Sequence, residues 1–179
     1  SILHAAYLGV DHSFTDVLEG HADLGVQFGT YPNAVAGAND DFVNPRVNAK
    51  LTYAFSDDGK ADLGIKHGRT TTDVAYDAAG ASTNPTFSME TTTVFGSMEK
   101  VLFGPLSGRL VFQIQDGTFD GGQADGDKEQ IYTAGLTFTY EIVKGLAAET
   151  GYSLDRLNSD LPGRSFVRHR GFIGLNYSY

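Results

Sequence analysis

Glu19, His21 and Asp23 stand at alternate positions, and on an extended chain side chains two apart are neighbours on one face. Carboxylates and an imidazole in that arrangement are the ligand types of a divalent metal. One strand supplies only one side of such a site, and no second set of ligands is legible elsewhere, so a wetted charged wall is the simpler account. Asp120, Asp125 and Asp127 sit in a glycine-rich stretch and offer the oxygen ligands that calcium prefers. Their spacing is not that of an EF-hand loop, and a solvated acidic loop explains them. Arg168, His169 and Arg170 form a small basic run, suited to holding phosphate groups or to balancing nearby acids. A hydrolase would need a serine, a histidine and an acid on neighbouring strands. His4, His12, His21, His67 and His169 lie in no such motif, and neither Gly-x-Ser-x-Gly nor a phosphate-cradling loop occurs. Absence of cysteine excludes disulfide scaffolds, thiolate metal sites and cysteine catalysis. No catalytic residue, cofactor or metal ligand is therefore expected.

The 179 residues carry a formal charge of −9, which argues against a nucleic-acid partner, since those binders show a basic stripe. Glycine is abundant at 22 and proline scarce at 5, a balance that suits curved, crowded strands better than helices. No apolar run approaches the roughly 20 residues a spanning helix needs. Spanning strands are not excluded, because polar residues facing inward dilute their hydropathy.

What would position the polar residues is a period of two, repeated along the chain. In 18–31, Leu18, Gly20, Ala22, Leu24, Val26 and Phe28 face one way and Glu19, His21, Asp23, Gly25 and Gln27 the other. Ile2, Ala6, Leu8, Val10 and Phe14 share a face in 1–15, interrupted by His4 and His12. The same alternation runs through 47–55, 63–76, 109–115, 132–142, 146–155 and 165–179. Within 86–103 the phase is ambiguous, because Phe95 and Met98 cannot share a face without a bulge. About nine strands follow, with no helix supported. Short turns near residues 15, 57, 105 and 144 alternate with longer polar loops near 37, 81, 123 and 161. That is the layout of an up-and-down antiparallel meander whose two ends face different surroundings.

A soluble barrel would carry the apolar faces inward and a membrane barrel would carry them outward, and the alternation does not distinguish the two. Strand length, turn–loop asymmetry and strand-end aromatics (Tyr53, Phe55, Phe103, Tyr140, Tyr177, Tyr179) favour the membrane. The expected fold is all-β, a transmembrane antiparallel up-and-down β-barrel occupying residues 1–179.

The final strand, "FVRHRGFIGLNYSY", resembles the terminal strand of Gram-negative outer-membrane barrels. In that pattern a polar residue precedes a glycine, hydrophobic positions and a terminal aromatic. Gly174, Tyr177 and Tyr179 fit it, while Phe172 stands where a polar residue is usual. Together with "YTAGLTFTYEI" and "GLAAETGYSLDRLNSD", it is similar to the closing hairpins of the putative β-barrel porin families. The resemblance covers the last fifty or so residues with some specificity. It implies an outer-membrane location, with lipid and lipopolysaccharide as surroundings. It also implies recognition of Gly174, Tyr177 and Tyr179 by the barrel-assembly machinery.

In such barrels the turns and the C-terminus are periplasmic, so nine strands would start on the outer side. Single-chain bacterial barrels have even strand numbers. The chain is therefore expected to be the C-terminal part of a longer barrel, or to be completed by strands from another chain. The inward face would collect Asp11, Glu19, His21, Asp23, Lys50, Asp62, Lys66, Arg109, Glu141, Glu149, Asp155, Arg168 and Arg170 as a pore wall. The expected function is a porin-like channel for passive diffusion of small polar solutes or ions. The acidic balance suggests cation preference, which the basic residues can reverse locally. The alternative is a scaffold barrel whose lumen is closed or filled by a partner.

Overall fold

A computed structural model of the chain describes residues 2–30, 41–74 and 86–178. They form β1 (Ile2–Thr15), β2 (Leu18–Thr30), β3 (Phe42–Ser56), β4 (Gly59–Val74), β5 (Thr86–Phe103), β6 (Leu106–Asp120), β7 (Lys128–Val143), β8 (Leu146–Ser159) and β9 (Phe166–Tyr177). All pair antiparallel with their sequence neighbours in one sheet of order β1 to β9. The sheet is open, because β1 and β9 are not paired with each other.

Most register breaks fall beside the turns, at Ser13/Thr15, Ala54/Ser56, Val101/Phe103 and Glu141/Val143. Between them side-chain parity is unbroken, so every strand keeps the faces its sequence assigns. The ambiguous strand proves regular. Val94, Gly96 and Met98 lie on the apolar face, and Phe95 lies on the polar face opposite Gly64. Several cross-strand pairs set an aromatic against a glycine, among them Tyr7 with Gly25, Phe95 with Gly64 and Phe172 with Gly151. A Cβ added at Gly64 or Gly151 would fall 2.4 or 2.5 Å from the ring, so the missing side chain is what lets the ring lie over the backbone.

The turns descend evenly along the register. One row runs Leu18, Tyr53, Ala61, Met98, Leu110, Leu136, Tyr152 and Gly171. Leu18 opens β2, Ala61 lies two residues inside β4, Leu110 four inside β6 and Tyr152 six inside β8. That is a stagger of one residue per strand. With a rise of about 3.4 Å against a strand spacing of about 4.8 Å, turns set at one level imply a tilt of about 35°.

Exposure separates the faces. Along β7, Tyr132, Ala134, Leu136, Phe138 and Tyr140 are exposed, while Ile131, Thr133, Gly135, Thr137 and Thr139 are partly shielded. Leu24, Leu51, Leu136 and Leu175 are 62, 47, 41 and 70% exposed. The more sheltered side of β6, β7 and β8 is the polar one. The buried hydrophobic cluster is small, made of Phe119, Ala124 and Leu161 with Met89 packed against it, at the loop end of the polar face. The accessible surface is 11326 Å², against about 8,400 Å² for a compact monomer of this mass.

Several boundaries differ from the sequence reading. β3 begins at Phe42 rather than 47, through Pro45. The β3–β4 pairing stops at Val47–His67, so Pro45 leaves no ladder bond to β4 unmade. A 3₁₀ turn, Gly122–Ala124, sits in the loop after β6, where no helix was expected. β4 is described to Val74, so its expected run to Tyr76, the loop at 77–85 and most of the loop at 31–44 lie outside the described residues. No helix among the described residues is long and apolar enough to cross a membrane, which says nothing of strands.

Candidate functional site

The polar face gathers every charged residue assigned to it from the sequence. One row crosses all nine strands: Asp11, His21, Lys50, Gly64, Phe95, Gln113, Thr133, Asp155 and Arg168. Asp23 and Lys66 lie one row nearer the loops. Glu19, Asp62 and Arg170 lie one row nearer the turns, and Arg109, Glu141 and Glu149 share the same face.

Most of the acids are engaged. His21 stands between two carboxylates, with Nδ1 2.7 Å from Asp11 Oδ1 and Nε2 3.1 Å from Asp23 Oδ2. Asn48 donates to the same Asp23 oxygen at 2.9 Å. Asp62 accepts from Thr52 at 2.7 Å and Ser97 at 3.0 Å. Asp155 is nearly buried and its Oδ2 accepts from Arg168 at 3.0 and 3.1 Å and from Arg170 at 2.8 Å. Glu149 accepts from Asn176 at 2.7 Å.

Two clusters suggested by spacing are not assembled as such. His21 is occupied by Asp11 and Asp23 rather than grouped with Glu19, and among the described residues no three His, Asp or Glu side chains are placed to hold a metal. Arg168 and Arg170 lie on the polar face, but His169 lies on the other, where Nδ1 meets the Tyr152 hydroxyl. In the acidic loop, Asp120 pairs with Arg69 and Asp125 accepts from the Gly121 backbone at 2.8 Å. Gly174 faces the polar side with open space around it. Tyr177 is 73% exposed on the apolar face, and Tyr179 lies outside the described residues.

The sequence reading missed Arg46, Lys60, Glu99 and Glu129 on the polar face. Arg46 follows Pro45 within turn-like composition, and the phase of Glu99 was ambiguous. Glu129 is 5% exposed and bonded to Arg164 at 2.6 Å and Ser159 at 2.9 Å. Nothing local marks it, because its partners come from the end of β8 and the loop that follows. No protein-family model matches the chain, and no curated protein matches it.

Proposed function

We propose that the sheet is part of the wall of a transmembrane β-barrel in a Gram-negative outer membrane, forming a porin-like channel for passive diffusion of small polar solutes. The observation that carries this reading is an apolar band on the exposed face, clearest on β6, β7 and β8. On β7 it runs from Tyr132 to Tyr140, a rise of about 27 Å at about 3.4 Å per residue. Leu106 to Ile114 on β6 and Leu146 to Leu154 on β8 match it. A tilt of about 35° reduces the height to about 22 Å, close to the roughly 25 Å apolar belt of outer-membrane barrels. Asp116 and Gln130 end the band on the loop side in one register row, and on β8 Arg156, opposite Tyr132, ends it one row earlier. Phe14, Tyr53, Phe103, Tyr140 and Tyr177 lie near its turn end, where interfacial aromatics belong.

In lipid an unpaired strand edge is costly, because nothing there replaces the missing hydrogen bonds. β1 and β9 run in the same direction, so antiparallel closure requires an odd number of further strands, whatever supplies them. The polar face would then line the lumen, with wall charges setting passage. The Phe119–Leu161 cluster on the polar face supports a second reading, a barrel closed at the loop end. Conductance of the purified protein in a planar bilayer separates them. Stepwise ion currents are expected, and inserted protein that carries none would favour the closed barrel. Stable solubility without detergent would sink both.

A further inference from the structure

We propose that the fork between β3 and β4 is a binding site for a small oxyanion, a phosphate or carboxylate group, held by Arg46 and Lys66. Pairing between these strands ends at Val47–His67, while β3 continues back to Phe42 against β2 and β4 runs on against β5. Gln27 of β2 reaches across the fork to the β4 backbone. Its Oε1 accepts from the Arg69 amide at 2.8 Å and its Nε2 donates to the Arg69 carbonyl at 3.3 Å.

Beside this bridge is a hollow of about 300 Å³ whose lining includes Arg46, Asn48, Lys66, Arg69 and Thr91. Among the described residues, the buried side-chain polar atoms with no hydrogen-bond partner are Arg46 Nε and Arg69 Nε. Both residues line this hollow, Arg46 from the polar face and Arg69, which has the parity of Ile65, with its backbone beside Gln27. A buried donor on a charged group left without an acceptor is costly, and an oxyanion supplies acceptors to such donors.

The charge balance points the same way. Arg69 is matched by Asp120. Arg46 and Lys66 have no carboxylate within ion-pair distance among the described residues; each cation instead lies over a ring, Arg46 5.2 Å from the Tyr7 centroid and Lys66 5.0 Å from that of Phe95. A ring orients a cation without neutralising it. Asp23, level with Lys66, is the carboxylate whose field reaches Arg46, but it makes no ion pair with it and already accepts from Asn48 and His21. The hollow is thus lined by a planar guanidinium, which matches two oxygens of a phosphate or carboxylate, and by an ammonium acting as a point charge.

The test is titration of inorganic phosphate into the detergent-solubilised protein, followed by calorimetry. Saturable binding at one site per chain is expected. Arg46→Gln should weaken it about tenfold or more, the loss expected for one charge-assisted bond. Lys66→Gln should weaken it as well, and Lys144→Gln, which removes a charge from a distant turn, should leave it unchanged. The Lys66 side chain is exposed, so that variant carries the comparison even if Arg46→Gln fails to fold. Absence of saturable binding, or equal losses in all three variants, overturns the site. Because binding in detergent requires no current, a channel that fails to conduct leaves this result standing, and a site that fails to bind leaves the channel standing.

Discussion

Asp155 is the residue on which the polar face of β8 and β9 depends most. One carboxylate oxygen accepts from both Arg168 and Arg170 while the side chain is 10% exposed. Asp155→Ala would leave two guanidinium groups facing each other without a counter-charge. Both arginines are more than half exposed, so solvent recovers part of the loss. A destabilisation of about 2 kcal/mol is expected, measured as a lowered denaturation midpoint in detergent. The double variant Asp155→Ala with Arg168→Ala should lose less than the sum of the two singles. Additive losses would mean that the observed geometry contributes no coupling. The basic run 168–170 shows why spacing alone misleads here. Three consecutive basic residues on a strand cannot act together, because the side chain of the middle one lies on the other face of the sheet.

At the scale of the element, the glycine–aromatic pairs give the sheet its local shape. Phe172 departs from the terminal-strand pattern in sequence, and its ring lies against Gly151 on the neighbouring strand. Gly151→Ala would drive a Cβ to within 2.5 Å of that ring, so the ring or the strand must shift. A cost of about 1–3 kcal/mol is expected, as for overpacking generally. Replacing Phe172 by Leu should relieve much of it, and an unfolding series on the two singles and the double checks this. If Gly151→Ala proves neutral in the unsubstituted background, the close approach is not constraining β8 and β9. At the β7–β8 turn, Gly145 has φ 85°, and its carbonyl accepts from Ser178 at 2.8 Å. Gly145→Ala should weaken this hairpin, because an L side chain is strained at that φ.

At the scale of the whole molecule, the decisive feature is where the apolar face points. Leu136 lies mid-way along the apolar band of β7, and Thr137 is its neighbour on the polar face. If the band meets lipid, Leu136→Arg should cost about 2–4 kcal/mol of membrane stability, the midplane penalty for arginine. Thr137→Arg should be tolerated. Folding into lipid vesicles, followed by a gel-mobility shift, distinguishes the two. Equal tolerance of both substitutions would count against lipid on the outer face. The open edges add a second expectation. A cysteine introduced on β1 and another on β9 should not form a disulfide with each other, since other strands must separate them in an antiparallel barrel.

The period-two pattern determined strand number, strand polarity and the face of every charged residue assigned to the wall. It could do so because the interruptions to the ladder fall mainly at the turns, so local alternation carries through to the sheet. What the tertiary structure decided is everything that depends on register between strands: the even descent of the turns, the pairing of Asp155 with two arginines, and the fork at Val47–His67. Arg46 was invisible beforehand because a residue after proline in loop-like sequence has no local mark of being paired. That it makes no ion pair among the described residues shows only once β2, β3, β4 and β5 are placed side by side.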